Sequence, residues 1–141
     1  MNHILLLMFF LMASFSHQGS PISAQVETTL FKEEQKKTEN SVRLLYGQAS
    51  YYANKFEGRK TANGEVFQHA KLTAACNSLP LGTWIKITNL RNGKAVVVRT
   101  NDRLHPKTKR LVDLTRTAAE KLGFIKSGLT RVKVEVLKQK P

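Results

Sequence analysis

The sequence is poor in cysteine: Cys76 is the only one among 141 residues. A single cysteine cannot form an internal disulfide, and it is too few for a thiolate zinc site. The fold must therefore be held together by a hydrophobic core, and a chain of this length allows one domain with a core of modest size. A lone cysteine is more often a small buried apolar residue than a nucleophile, and both interpretations remain open for Cys76.

The sequence also lacks a long hydrophobic segment. Its longest apolar run covers residues 4–13, which is too short to span a bilayer and suits the apolar part of a secretory signal. We expect a signal peptide at residues 1–24, with a small-residue cleavage site at 22–24; the alternative is a buried or disordered N-terminal arm. No cysteine lies directly after the run, so a lipoprotein anchor is not expected. The sequence predicts an exported protein of the periplasm or extracellular envelope, without a transmembrane segment.

Acidic residues are scarce. The chain has 10 Asp and Glu against 23 Lys and Arg, a net charge of +13. This imbalance predicts an acidic polymer as a partner. Nucleic acid would fit on charge alone, but export argues against it and favours an anionic polymer of the cell envelope.

The composition changes along the chain. Residues 25–43 mix lysine and glutamate with few apolar side chains, which is typical of a solvated linker or a frayed helix. From residue 44 onward apolar and β-branched residues become frequent. We therefore place an N-terminal arm at 25–43 and a single folded domain at 44–141.

Short strand patterns recur through this domain. Gly47, within the first of them, suits a β-bulge. Asn92 and Gly93 lie between two such patterns, where this pair is a strong hairpin signal. The predicted strands cover residues 44–52, 84–90, 94–100, 110–114 and 131–137.

One helix is predicted at residues 115–122. Thr117 and Glu120 have the spacing of a capping box, Thr115 is the alternative N-cap, and Gly123 marks the C-terminal end. About six short strands with one or two short helices and tight turns predict a mainly β fold, a small closed barrel.

Two polar motifs are candidates for chemistry because each keeps a carboxylate in a basic region. In residues 61–65 (TANGE), a tight turn at Asn63 and Gly64 delivers Glu65 at its exit. In residues 101–103 (NDR), Asp102 follows an apolar strand. Each acid has a structural alternative: Glu65 as an exposed turn residue, and Asp102 as a loop cap or a partner of Arg103.

These motifs, with their neighbours, resemble the RlpA-like lytic transglycosylases of the bacterial envelope. The resemblance runs from Tyr46 to Leu137. It includes residues 47–52 (GQASYY), 58–65 (GRKTANGE), 72–75 (LTAA), 79–83 (LPLGT), 96–103 (VVVRTNDR) and 112–115 (VDLT). Motifs in this order and density are a specific sign of the family. The resemblance implies a six-stranded double-psi β-barrel.

The resemblance also implies an activity, that of a carbon–oxygen lyase acting on polysaccharide. Family members cleave peptidoglycan glycan strands between N-acetylmuramic acid and N-acetylglucosamine without water, leaving a 1,6-anhydro end. One carboxyl group can serve as both acid and base in this reaction. By motif position, Asp102 is the expected general acid/base, and Glu65 a groove residue that orients substrate or tunes Asp102. Substrate-binding positions are expected at Thr61, Asn63, Cys76, Asn101, Arg103 and Tyr52.

Further expectations follow for this site. Arg103 should point away from Asp102 or toward substrate, because a direct ion pair would oppose an acid role. We expect no metal and no cofactor, and a monomer that binds peptidoglycan glycan strands and anionic envelope polymers, with no nucleic acid.

Two positions depart from the family pattern. Cys76 occupies the place of a histidine, and residues 104–106 (LHP) follow Arg103 where the family tends to have Gly-Pro. His105 and His69 are the candidates for a replacement imidazole, and each has the alternative of an exposed bystander. These departures keep open a second function, that of a non-catalytic, expansin-like glycan-binding barrel.

Overall fold

A computed structural model describes residues 21–39 and 42–141. Helix α1 spans Pro21–Glu39, and its side chains from residue 24 to 35 are exposed. The predicted arm is therefore helical over most of its length. The helix begins inside the predicted signal peptide, whose residues 1–20 lie outside the described residues. No helix within residues 21–39 and 42–141 combines the length and apolar character needed to cross a membrane.

Residues 42–141 fold as a closed six-stranded barrel, as predicted. The order around the barrel is β1-β5-β2-β4-β3-β6, with parallel pairs β1–β5 and β2–β4 and the other neighbours antiparallel. This mixed topology agrees with the expected small double-psi β-barrel. The strands are β1 Leu44–Tyr51, β2 Thr73–Ala75, β3 Trp84–Asn89, β4 Ala95–Asp102, β5 Val112–Leu114 and β6 Thr130–Val136.

Strand β2 is the one that the sequence patterns missed. It has only three residues, and two of them, Ala74 and Ala75, have low strand propensity. Strand β2 forms because it lies between β4 and β5, which supply hydrogen bonds on both edges. Its position is therefore a product of the closed barrel.

Gly47 does not form the predicted bulge. Strand β1 pairs with β6 in continuous register from Leu44 opposite Glu135 to Ala49 opposite Thr130. A Cβ atom added at Gly47 would lie 2.7 Å from the Cβ of Leu111. Glycine is required here because the chain before β5 packs directly on the strand.

The predicted hairpin joins β3 and β4, with a longer turn than the Asn-Gly pair suggested. Asn89 donates its backbone N–H to the carbonyl of Lys94, so the loop holds the four residues 90–93. Gly93 has a φ of 74°, a conformation that glycine adopts without strain.

Helix α2 spans Arg116–Leu122, and Thr115 is its N-cap. The Thr115 hydroxyl accepts a hydrogen bond from the Ala118 N–H at 3.4 Å. The predicted capping box of Thr117 and Glu120 is therefore wrong and the alternative is confirmed, because Thr117 already lies inside the helix. Gly123 ends the helix with a φ of 72°, as predicted.

The core fills the barrel and extends beneath α2. Alternate residues of the longer strands point inward, so valine and isoleucine dominate it. The largest fully buried apolar side chains are those of Ile85, Ile87, Leu114, Leu122, Val98, Val112, Val132 and Val134, and Cys76 belongs to the same cluster.

Candidate active site

The candidate active site is an open cavity of about 530 Å³ at one end of the barrel. Asp102 lies at the end of β4, and Tyr52 follows β1 directly. Both line the cavity, with Phe56 and Phe67 beside them. The structure thus brings together two residues that are 50 positions apart in the chain.

The two oxygens of Asp102 have different surroundings. Oδ1 accepts hydrogen bonds from two backbone N–H groups, those of Ala62 at 2.9 Å and Arg103 at 2.8 Å. Oδ2 accepts a single hydrogen bond, from the Tyr52 hydroxyl at 2.6 Å. The donors to Oδ1 are part of the fixed backbone, whereas the donor to Oδ2 is a hydroxyl that can rotate.

Tyr52 is held in place by an aromatic cluster. Its ring lies 4.4 Å from that of Phe67 and 5.5 Å from that of Phe56, measured between centroids. Burial, and then the hydrogen bond to Asp102, raise the pKa of the Tyr52 phenol well above its ordinary value. The phenol therefore stays protonated and can act as a donor to Asp102.

The loop that carries the TANGE motif closes over Asp102. Lys60 and Val66 form a bridge at its base, and the Asn63 N–H donates to the Asn101 carbonyl at 3.2 Å. Inside the loop the Asn63 side chain accepts from the Thr61 hydroxyl at 2.7 Å. The two motifs identified in the sequence therefore meet in space, and Ala62 contributes one of the N–H groups on Asp102.

Glu65, the last residue of the TANGE motif, bonds to residues of β4 and does not line the cavity. Its carboxylate accepts hydrogen bonds from Asn101 at 3.1 Å and from Arg99 at 2.5 Å. The hydrogen bonds from Asn101 and Arg99 lower the pKa of Glu65 to about 2. Glu65 is an ionised residue that ties the loop to β4.

An irregularity in β4 places these side chains. Opposite β2, Ala74 pairs with Thr100 while Ala75 pairs with Asp102, so Asn101 is an extra residue in β4. Bulges of this kind redirect side chains, and they are frequent beside active sites. Here Asn101 bonds Glu65 while its neighbour Asp102 faces the cavity.

Arg103 points away from the Asp102 carboxylate, one of the two orientations that the sequence led us to expect. Its guanidinium donates to the backbone carbonyls of Cys76 and of Leu79, the latter at 2.8 Å. Arg103 therefore donates a hydrogen bond to the Asp102 carboxylate through its backbone N–H and not through its guanidinium. Its side chain fastens the segment after β2 to the end of β4.

The substrate-binding prediction for Cys76 is wrong. Cys76 is 0% exposed and packs in the core. Only its backbone reaches the site: its N–H donates to the Asp102 carbonyl at 3.1 Å, and its carbonyl accepts from Arg103. A small apolar side chain at this position fits the barrel interior, and the thiol is not among the groups that line the cavity.

Thr61, Asn63 and Asn101 were predicted to bind substrate. Thr61 and Asn101 are 7% and 3% exposed, and their side chains bond to Asn63 and Glu65. Asn63 in turn accepts from the Glu65 N–H at 3.1 Å. Their visible contacts therefore build the loop around Asp102.

Other cavity residues were missed by the sequence analysis. Arg110 donates two hydrogen bonds to Asp113, at 2.8 and 3.0 Å, and this bonding raises the pKa of Arg110. Arg59 and Lys60 also line the cavity. Asp113 stands in the quoted VDLT motif, which was the signal available in the sequence.

The two histidines considered as replacement imidazoles occupy different places. His105 lines the cavity. The Nδ1 atom of His69 accepts from the Arg116 N–H at 3.1 Å, at the start of α2. Within residues 21–39 and 42–141, no group of three His, Cys, Asp or Glu side chains is arranged to hold a metal ion.

Comparison with known proteins finds relatives in sequence and, separately, solved structures with a similar fold. A family profile described as lytic transglycolase matches residues 45–134. The endolytic peptidoglycan transglycosylase RlpA of Pseudomonas aeruginosa strain UCBPP-PA14 is 43% identical over 119 residues, covering 84% of this chain and 35% of the relative. The probable endolytic peptidoglycan transglycosylase RlpA of Synechocystis is 47% identical over 95 residues, covering 67% of this chain and 30% of the relative. The chain thus spans about a third of the length of these curated relatives.

Two solved structures share the fold at low sequence identity. The Streptomyces papain inhibitor superposes with a TM-score of 0.56 at 19% identity, over 68% of this chain and 96% of the inhibitor. The Clavibacter michiganensis expansin superposes with a TM-score of 0.55 at 20% identity, over 70% of this chain and 52% of the expansin. These likenesses concern the barrel alone.

Proposed function

The chain belongs to the lytic transglycolase family, and on that premise we propose that it is a peptidoglycan lytic transglycosylase. Its substrate is the glycan strand, and the bond it cleaves joins N-acetylmuramic acid to N-acetylglucosamine. Asp102 is the general acid/base. Asp102 lies in the matched region and on the wall of the cavity.

The reaction needs one carboxyl group used twice. Protonated Asp102 gives its proton to the glycosidic oxygen as the bond from C1 of N-acetylmuramic acid breaks. The resulting carboxylate then takes the proton from the C6 hydroxyl of the same sugar as that oxygen bonds to C1. The products are a 1,6-anhydro end and a free hydroxyl on N-acetylglucosamine, so no water is consumed and Asp102 regains its proton.

The observation that carries this proposal is the unequal hydrogen bonding of Asp102. Two backbone N–H groups fix Oδ1, so the carboxyl group cannot rotate freely. Arg103, the neighbouring cation, directs its guanidinium to main-chain carbonyls instead of the carboxylate. An acid/base needs this combination of a fixed position and no ion pair on the reacting oxygen.

We further propose that Glu65 supports the reaction from outside the cavity. Its carboxylate joins Asn101 to Arg99, and Asn101 is the residue next to Asp102. Glu65 therefore positions the end of β4 through its neighbours. This role replaces direct substrate contact.

The charge of the cavity fits an anionic glycan. Arg59, Lys60 and Arg110 lie on its walls, against the carboxylates of Asp102 and Asp113. N-acetylmuramic acid carries a lactyl carboxylate or a peptide, so peptidoglycan presents negative charge along the strand. We propose export to the periplasm or extracellular envelope, where this polymer is found.

Digestion of purified peptidoglycan tests the activity. The full chain is incubated with sacculi, and the soluble products are examined by mass spectrometry for anhydro-ended fragments. Asp102→Asn is expected to keep the fold and lose these products. Glu120→Gln is the matched control, because Glu120 is an exposed carboxylate on α2. Anhydro products from Asp102→Asn at the wild-type rate would reject the assignment.

The second candidate is a barrel that binds glycan without cleaving it. The observation that favours it is the buried Cys76, which leaves the cavity without an imidazole from this position. The same incubation separates the two candidates. Sacculi that retain the wild-type chain and release no anhydro-ended fragments would support the binding function.

A further inference from the structure

Tyr52 is the only side-chain donor recorded on the Asp102 carboxylate among the described residues. Its hydroxyl bonds Oδ2, while Oδ1 is occupied by the N–H groups of Ala62 and Arg103. A backbone N–H cannot become an acceptor, so a proton on Oδ1 would face two donors. A hydroxyl can reverse its role by rotating about the C–O bond. Oδ2 is thus the oxygen that can carry a proton without losing its hydrogen bonding.

We propose that Tyr52 is a positioning residue that assigns the exchangeable proton to Oδ2 of Asp102 and stabilises the carboxylate once that proton has left. This inference rests on the proposed function and deepens it. Before bond cleavage Oδ2 carries the proton, and the hydrogen of the Tyr52 hydroxyl is turned away from Oδ2. The carboxyl proton then points either to the Tyr52 oxygen, which accepts it as a hydrogen bond, or into the cavity. When the proton moves to the glycosidic oxygen, the hydroxyl rotates back and donates to Oδ2. It rotates again when Oδ2 takes the proton from the C6 hydroxyl.

The surroundings of Tyr52 suit this role. Phe56 and Phe67 fix the ring, so only the hydroxyl hydrogen has to move. Buried as it is, the phenol stays protonated, and it does not compete with Asp102 for the proton. Substitution with phenylalanine keeps the ring contacts and removes only the donor.

Other charged groups around Asp102 remain in such a variant. They come from the loop before the TANGE motif, from the chain after β4 and from the β5 side of the cavity. They are Arg59 and Lys60, Arg103 and His105, and Arg110 and Asp113. Glu65 and Arg99 pair with each other and are not among the residues that line the cavity. A difference between the wild type and Tyr52→Phe therefore reports the missing hydroxyl.

The first test is the pH dependence of anhydro-product formation by the full chain. A general acid must start protonated, so kcat/KM falls as pH rises. Without the Tyr52 donor the carboxylate is less stable. The alkaline limb of the kcat/KM profile of Tyr52→Phe is therefore expected to move to higher pH by about 1 to 2 units. A shift of this size corresponds to the free energy of about one hydrogen bond to a charged group. The rate at the optimum is expected to fall by about 10-fold or more.

Tyr51→Phe is the matched control. The Tyr51 ring borders the same cavity, but its hydroxyl donates to the Ile125 carbonyl at 3.0 Å. The alkaline limb of this variant is expected to coincide with that of the wild type. A shift of equal size in both variants would overturn the assignment to Tyr52.

The second test does not need activity. Asp102 and Asp113 are the only aspartates in the chain, so labelling aspartate with ¹³C at the carboxyl carbon gives two signals. Asp113→Asn assigns them. In Tyr52→Phe the Asp102 signal is expected to titrate at higher pH than in the wild type. Coincident titrations would refute the proposal about Tyr52, whereas absent anhydro products from the wild type would refute the proposed function alone.

Discussion

Replacing Cys76 with histidine tests where position 76 lies. The family resemblance implies an imidazole facing the groove, whereas the structure buries the Cys76 side chain completely in the core. The two placements predict opposite outcomes. A groove imidazole would raise turnover, and a buried one would weaken the fold.

The structure predicts a large loss of stability. Forcing a bulkier side chain into a packed core costs about 1 to 3 kcal/mol. Leaving its ring nitrogens without partners adds about 1 to 3 kcal/mol. The total of roughly 2 to 6 kcal/mol is a large part of the 5 to 15 kcal/mol that ordinarily stabilises a domain. At about 4 to 8 °C per kcal/mol for a domain of about 100 residues, Tm should fall by roughly 10 °C or more.

Thermal unfolding followed by circular dichroism measures this effect. Cys76→Ala is the control, because it removes the sulfur without adding bulk and should cost about 1 kcal/mol. The Cys76 N–H donates to the Asp102 carbonyl, and the Cys76 carbonyl accepts from the Arg103 guanidinium. Product formation should therefore fall in Cys76→His, because a shift of this backbone would also displace Asp102. The native thiol should react slowly with iodoacetamide and rapidly after denaturation.

A definite pattern would refute this reasoning. If Cys76→His melts at the wild-type temperature and the native thiol is alkylated as fast as the denatured one, position 76 faces solvent. Increased turnover in that variant would then restore the imidazole to the active site.

Three further predictions concern the loop, the barrel wall and the surface charge. Folding lowers the pKa of Glu65 from 4.5 to about 2. The ionised Glu65 carboxylate therefore stabilises the fold fully above pH 4.5, and this contribution is lost as the pH falls toward 2. The Tm difference between wild type and Glu65→Gln should therefore shrink over that range, and a constant difference would contradict the contact. Gly47→Ala should destabilise the barrel by about 1 to 3 kcal/mol, because its Cβ would meet Leu111 at 2.7 Å; an unchanged urea midpoint would disprove the clash. Binding to sacculi in a pull-down should weaken as salt rises, because surface charges are screened over about 8 Å at physiological ionic strength. Binding that ignores salt would indicate aromatic stacking on the sugars.

The sequence by itself determined the barrel and most of its strands. Alternating apolar residues marked β3 and β6, a run of three valines marked β4, and the Asn92-Gly93 pair marked the hairpin between β3 and β4. These features are local, because strand periodicity and turn chemistry are set by neighbours in the chain. The ordered motifs also made Asp102 the candidate acid/base, because their order and spacing are properties of the sequence itself.

Only the tertiary structure decided how the site is built. The extra residue Asn101 in β4 arises from pairing with β2, which has no local signal of its own. That pairing turns Asp102 toward the cavity, where Tyr52, 50 residues away, meets its Oδ2. Closure of the barrel likewise buried Cys76, at a position where motif matching implied a groove residue. Such contacts join distant segments, and their geometry depends on how all six strands close around one core.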